Sequence, residues 1–105
     1  ELEYVNKNIK VMTIQADFAN YKDEKFYMNL VEKLKGLQIA ILVNNVGRLA
    51  VNPFDQWSQK EIQEMIHVNI TSQTLMSKYL IPDMLERKQK RSAIINVSSF
   101  SGNHA

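Results

Sequence analysis

Three polar clusters in this sequence follow apolar runs and could do chemistry there. They are Asp17-Phe18 after IKVMTIQA, Asn44-Asn45-Val46-Gly47 after QIAILV, and Ser98-Ser99 after AIINV. A fourth candidate, Asn69, sits inside a helical pattern in HVNITS. Asparagine is a poor helix-interior residue because its side chain competes for backbone bonds, so a packing or functional reason is needed there. A serine hydroxyl at a strand end is a fixed, neutral donor, suited to a carbonyl oxygen that gains negative charge. Alternation along the strand sends the Ser98 and Ser99 hydroxyls to opposite faces, so only one of them can aim at a given group. Gly47 leaves its strand end open to the close approach of a ligand. His67 and His104 read as packing or surface residues. With no cysteine in the chain, neither a disulfide framework nor a thiolate site is available, and no metal site is expected.

The elements that must position these groups follow from periodicity. Residues 9–16 and 38–45 are continuous apolar runs of the kind that parallel strands buried on both faces require, and 92–99 is a third. Between the first two, Phe26, Leu30 and Leu34 recur at fours with Tyr27 and Val31 beside them, one apolar helix stripe. Gly36 stands where a left-handed C-terminal cap is wanted. Ser58 and Glu61 form an S-x-x-E capping box that opens a long helix over 58–88, with Pro82 kinking or tightening its last turns. The run ERKQKR, 86–91, ends that helix as a solvated loop or, less simply, as a phosphate or anionic-lipid contact.

Strand, helix, strand, helix, strand predicts an α/β protein with a parallel sheet covered by helices. In such sheets ligands sit outside the carboxyl ends of the strands, where the three clusters fall. The chain's 105 residues fit one small domain, and a net charge of +2 gives no argument for nucleic acid. No apolar run is long enough to cross a bilayer. The sequons at Asn69 and Asn96 lie in buried elements and are discounted.

ILVNNVG, a long helix carrying HVNI, and then IINVSSFSG together resemble the short-chain dehydrogenase/reductase family over nearly the whole chain. ADF after the first strand, GLQIAILVNNVG, and PDMLERKQKRSAIINVSSFSG are similar to its hydroxysteroid dehydrogenase and very-long-chain 3-oxoacyl-CoA reductase branch. The resemblance implies a Rossmann-like doubly wound sheet and NADPH-dependent interconversion of ketone and hydroxyl groups, with NADH not excluded. It implies that Ser99 polarises the ketone oxygen and that Asn69 serves a water-mediated proton relay at a slight break in the helix. It places Asp17 and Phe18 at the adenine, and Asn44 and Gly47 at the adenosine ribose. Asn45 is expected to tie adjacent strands. Arg48 departs from the small or apolar residue expected there; it reads as an exposed loop arginine or as a contact to a phosphate of the cofactor or an acyl-CoA.

The family's glycine-rich phosphate turn and its Y-x-x-x-K pair are not found in place. Tyr21 and Lys25 fit that spacing but precede the Asn69 and Ser99 segments. The expectation is therefore that residues 1–105 are the central part of a single NAD(P)-binding domain, strands 3, 4 and 5 of the order 3-2-1-4-5, cut from a longer polypeptide that begins before Glu1. Alone, such a piece is expected to be inactive and to leave strand 9–16 without its neighbour. For the parent, the resemblance implies a lipid or steroid ketone substrate, a homodimer through the 58–88 helix, and the endoplasmic reticulum membrane. The competing expectation is a non-catalytic, truncated relative that uses the same helix as a dimer or scaffold face.

Overall fold

The computed structural model describes residues 8–20, 23, 25–89 and 91–100; the first residues of the chain, Tyr21 and His104 lie outside them. Two short strands run side by side, β1 (Ile41–Asn44) and β2 (Ala93–Asn96). They are parallel, in a register that sets Ile41 against Ala93 and Asn44 against Asn96. The flanking amides extend the ladder: the Ala93 N–H donates to the Ala40 carbonyl and the Val97 N–H to the Asn44 carbonyl, each at 2.9 Å. Parallel pairing requires a crossover, and the long helix supplies it. The chain is thus a partial doubly wound α/β fold.

Before β1, helix α1 (Phe26–Glu32) presents Tyr27 and Leu30 to the interior. It unwinds through tight turns into Gly36, whose φ of 82° is the left-handed conformation its position called for. After β1 come a 3₁₀ turn, Phe54–Gln56, and a continuous helical rod. The rod comprises α2 (Gln59–Ile66), a π-helical segment (His67–Thr71) and α3 (Ser72–Glu86). Pro82 lies within the last turns of α3, and the helix continues past it to Glu86. The Ser92 hydroxyl then donates to the free Met84 carbonyl at 3.1 Å. Arg87 donates to the Arg91 carbonyl at 2.8 Å, which folds the basic loop back on itself.

The core forms where α1 meets α3. Tyr27, Leu30, Met76, Leu80 and Met84 are buried together, with Leu42 of β1 and Ile94 of β2 beneath them. Residues 9–16, expected as a strand, join no ladder; the sheet described is two-stranded. Their apolar side chains still do part of the expected work, since Ile14 and Ala16 pack against the core. A strand is defined by its neighbour, and neither β1 nor β2 is the neighbour of this one.

The rod begins with the expected capping box. The Glu61 N–H donates to the Ser58 hydroxyl oxygen at 3.3 Å, and the Ser58 N–H donates to the Glu61 carboxylate at 2.8 Å. Hydrogen bonds from the Ser58 hydroxyl, and then from its backbone N–H, hold the Glu61 carboxyl below the usual carboxylate range. Replacing Ser58 with alanine is expected to cost about 1 kcal/mol of stability in the full-length protein, read by denaturant unfolding at neutral pH. A lowered folded-state pKa contributes stability that is present above the ordinary glutamate value and is lost as pH falls through the folded value. The cost of Ser58→Ala should therefore shrink on acidification.

Candidate active site

The break in the rod positions the site. Within the π segment the Ser72 N–H reaches the His67 carbonyl, five residues back rather than four. Three successive carbonyls beside it are taken by side chains four residues on. The Ser72 hydroxyl donates to the Val68 carbonyl at 2.5 Å, the Gln73 amide to that of Asn69, and the Thr74 hydroxyl to that of Ile70 at 2.9 Å. Such back-bonding loosens a helix without melting it. The sequence S-Q-T just after Asn69 is the local signal of this arrangement, and sequence reasoning passed over it.

Asn69 projects from the π segment toward the segment that follows β1. Its Oδ1 accepts the Arg48 N–H at 2.8 Å, and its Nδ2 donates to the Arg48 carbonyl at 2.9 Å. One side-chain amide thus satisfies both backbone groups of one residue. A cleft of about 800 Å³ opens beside this clasp, at the carboxyl ends of β1 and β2. The segment Asn45 to Leu49 forms one wall, Met65, Asn69 and Gln73 of the rod a second, and Asn96 to Phe100 a third. This is the crevice in which open parallel sheets bind ligands. Its walls mix amides and hydroxyls with apolar surface from Val46, Leu49, Met65, Val97 and Phe100.

Of the residues singled out in the sequence, the cleft gathers Ser99, Asn69 and Gly47. Ser98 lines it too. The expected alternation does not separate the two serines, because β2 ends at Asn96 and both lie beyond its ladder. The two asparagines at the end of β1 exchange the structural part expected of Asn45. Asn44, not Asn45, ties the strands: it is buried, and its amide donates to Asn96 Oδ1 at 2.8 Å and to the Ser77 hydroxyl of α3 at 3.2 Å. Asn45 lines the cleft. Gly47 has no positive φ, and a Cβ there would meet only Asn69 Oδ1, at an ordinary 3.6 Å. Neither backbone nor packing demands glycine, so the bare position leaves room on the cleft side, which fits a bound cofactor. Gln73 and Met65 are cleft residues that the sequence alone did not single out.

Asp17 and Phe18 stand outside the cleft walls. Asp17 is exposed and accepts the Ala19 N–H at 3.0 Å, closing a local turn. The Phe18 ring meets Phe26 edge-on with centroids 5.6 Å apart, and Tyr27 at 6.2 Å. Tyr27 in turn reaches His67, its hydroxyl 3.5 Å from Nε2, so His67 is the packing histidine expected. Burial pushes the Tyr27 phenol up and the His67 imidazole down from their ordinary values. Arg48 is exposed and ion-paired to Glu64.

Comparison with known proteins places the fold in a family. A family described as short chain dehydrogenase matches residues 2–105. The chain is 36% identical over 104 residues to a very-long-chain 3-oxoacyl-CoA reductase of Mycosarcoma maydis, covering 97% of this chain and 29% of that protein. It is 45% identical over 96 residues to human 17-beta-hydroxysteroid dehydrogenase type 3, covering 85% of this chain and 28% of that one. It is also 38% identical over 109 residues to the human inactive hydroxysteroid dehydrogenase-like protein 1, covering 96% and 32%. Among solved structures, a short-chain dehydrogenase from Sphingobium yanoikuyae in complex with NADPH superposes with a TM-score of 0.79 at 24% identity, over 98% of this chain and 39% of that one. The chain thus spans less than a third of the length of the three sequence relatives and 39% of the solved structure, and within that span it is a member of the short chain dehydrogenase family.

Proposed function

We propose that this chain is the central part of the cofactor-binding domain of an NADPH-dependent oxidoreductase that interconverts ketone and hydroxyl groups, and that it is inactive on its own. The observation that carries the proposal is the convergence of Ser99, Asn69 and Gly47 on one cleft at the carboxyl ends of β1 and β2. The nicotinamide cofactor supplies the hydride when bound. Ser99 donates a hydrogen bond to the ketone oxygen as charge develops on it. Asn69 holds the wall of the cleft through Arg48 and serves the relay that returns a proton to that oxygen. Gly47 keeps the cofactor's path open, Asn44 fixes the strand end beneath it, and Asp17 with Phe18 flanks the adenine. Asn45 offers the cleft a further side-chain amide.

The substrate is a 3-oxoacyl-CoA of very-long-chain fatty acid elongation or a 17-ketosteroid, a reading supported by likeness to proteins named very-long-chain 3-oxoacyl-CoA reductase and 17-beta-hydroxysteroid dehydrogenase. The apolar walls at Val46, Leu49, Val97 and Phe100 suit a hydrocarbon body of either kind. The parent is a homodimer through the 58–88 helix and resides at the endoplasmic reticulum membrane. In the full-length protein, ketone-dependent consumption of NADPH is expected with at least one of these substrates. Failure to bind reduced nicotinamide and to consume it with either ketone would overturn the proposal. That outcome would favour a non-catalytic scaffold, a reading supported by the likeness to a relative whose name declares it inactive.

A further inference from the structure

We infer that Arg48, through Glu64, is a positioning residue that fixes the lip of the cleft, and that the part of the substrate passing this lip is uncharged. The inference rests on the oxidoreductase reading of the cleft. Arg48 is gripped twice from the rod. Asn69 clasps its backbone N–H and carbonyl from the π segment, and Glu64 of α2 pairs with its guanidinium. The Glu64 side chain is only 14% exposed, against 41% for Arg48. A carboxylate so far withdrawn from water depends on its partner. Its other cation, Lys60 at 3.6 Å, is 76% exposed and holds it loosely. The ion pair therefore anchors the arginine side chain to the rod, and with it Gly47 and Leu49 on either side.

The same pairing decides what the lip does not do. Arg48 and Lys60 carry two positive charges, and Glu64 and Glu61 two negative ones within the same cluster, with Arg48 close enough to help hold the Glu61 carboxyl ionised. Nη1 of the guanidinium is paired with Glu64 and the four charges balance, so the lip offers little net field to attract a phosphate or carboxylate. Beside it stand Val46 and Leu49, which receive hydrocarbon.

Two readouts on the full-length protein test this. Hydrogen exchange at the Arg48 amide, which is donated to Asn69, should quicken on the order of five-fold in Glu64→Gln, whatever the protein's activity. With an uncharged ketone, Arg48→Met and Glu64→Gln should each raise KM on the order of five-fold while kcat moves less than about two-fold. The double variant should be no worse than either single, and the exchanged pair Arg48→Glu with Glu64→Arg should recover the loss. Unchanged exchange in Glu64→Gln would overturn the inference. So would a KM effect of Arg48→Met confined to anionic ketones, which would make Arg48 an anion receptor. A parent that consumes no reduced nicotinamide with any ketone would instead sink the oxidoreductase reading and leave the exchange result to decide the role of the pair.

Discussion

Replacing Ser99 with alanine in the full-length protein is expected to lower kcat for ketone reduction by about 10²–10³-fold, with KM little changed. The size follows from what a preorganised donor does. A hydroxyl held at the wall of a cleft meets charge that exists mainly in the transition state, so its loss is felt in turnover rather than in binding. Ser98 is the internal control, because both serines line the same cleft beyond the end of β2. Ser98→Ala is expected to change kcat by less than about ten-fold. A full rate with Ser99→Ala, or a loss that follows Ser98 instead, would remove Ser99 from its assigned role.

The largest expected effect on stability belongs to Leu80. It is 1% exposed, at the centre of the contact between α1 and α3, and is enclosed by Tyr27, Leu30, Met76 and Met84. Leu80→Ala removes buried methyl groups from a site whose neighbours are held by two helices, so little collapse can refill the space. The expected cost is about 3 kcal/mol, read as a shift in denaturant midpoint without a change in slope. Leu85 lies five residues on along the same helix and is 77% exposed. Leu85→Ala should stay within about 0.5 kcal/mol. Equal costs at the two positions would mean that α3 does not pack by the face described.

What could be read from the sequence was what local physics decides. The capping box at Ser58, the left-handed Gly36 and the stripe of α1 each depend on residues within a few positions of one another. Strand 9–16 could not be settled in this way, because ladder formation depends on a partner the apolar run does not name. The site divides along the same line. That Gly47 and the Ser98-Ser99 pair would lie at one cleft was legible from type and place at strand ends, whereas type and place alone did not choose between the two serines. Which asparagine faces the cleft was not, because that depends on where β1 ends and on Ser77 and Asn96, far along the chain. The ion pair from Arg48 to Glu64 crosses 16 residues and leaves no local trace. Asn69 stood out as a misfit in a helix, and the resemblance implied a slight break there; the π segment and the clasp gave the misfit its cause.

The pairing of β1 with β2 also has a consequence in time. Asn44 and Asn96 are 52 residues apart in sequence, and the whole helical rod lies between them. Helices form in microseconds from neighbours, whereas a parallel ladder waits until a long loop has closed, an entropic cost that no local contact repays beforehand. The cleft has one wall after each of these strands and so cannot exist before they meet. During synthesis or refolding, helix content therefore precedes the capacity to hold a ligand. A ligand that bridges the two strand ends would rescue the slowest-formed contact in the chain from reopening.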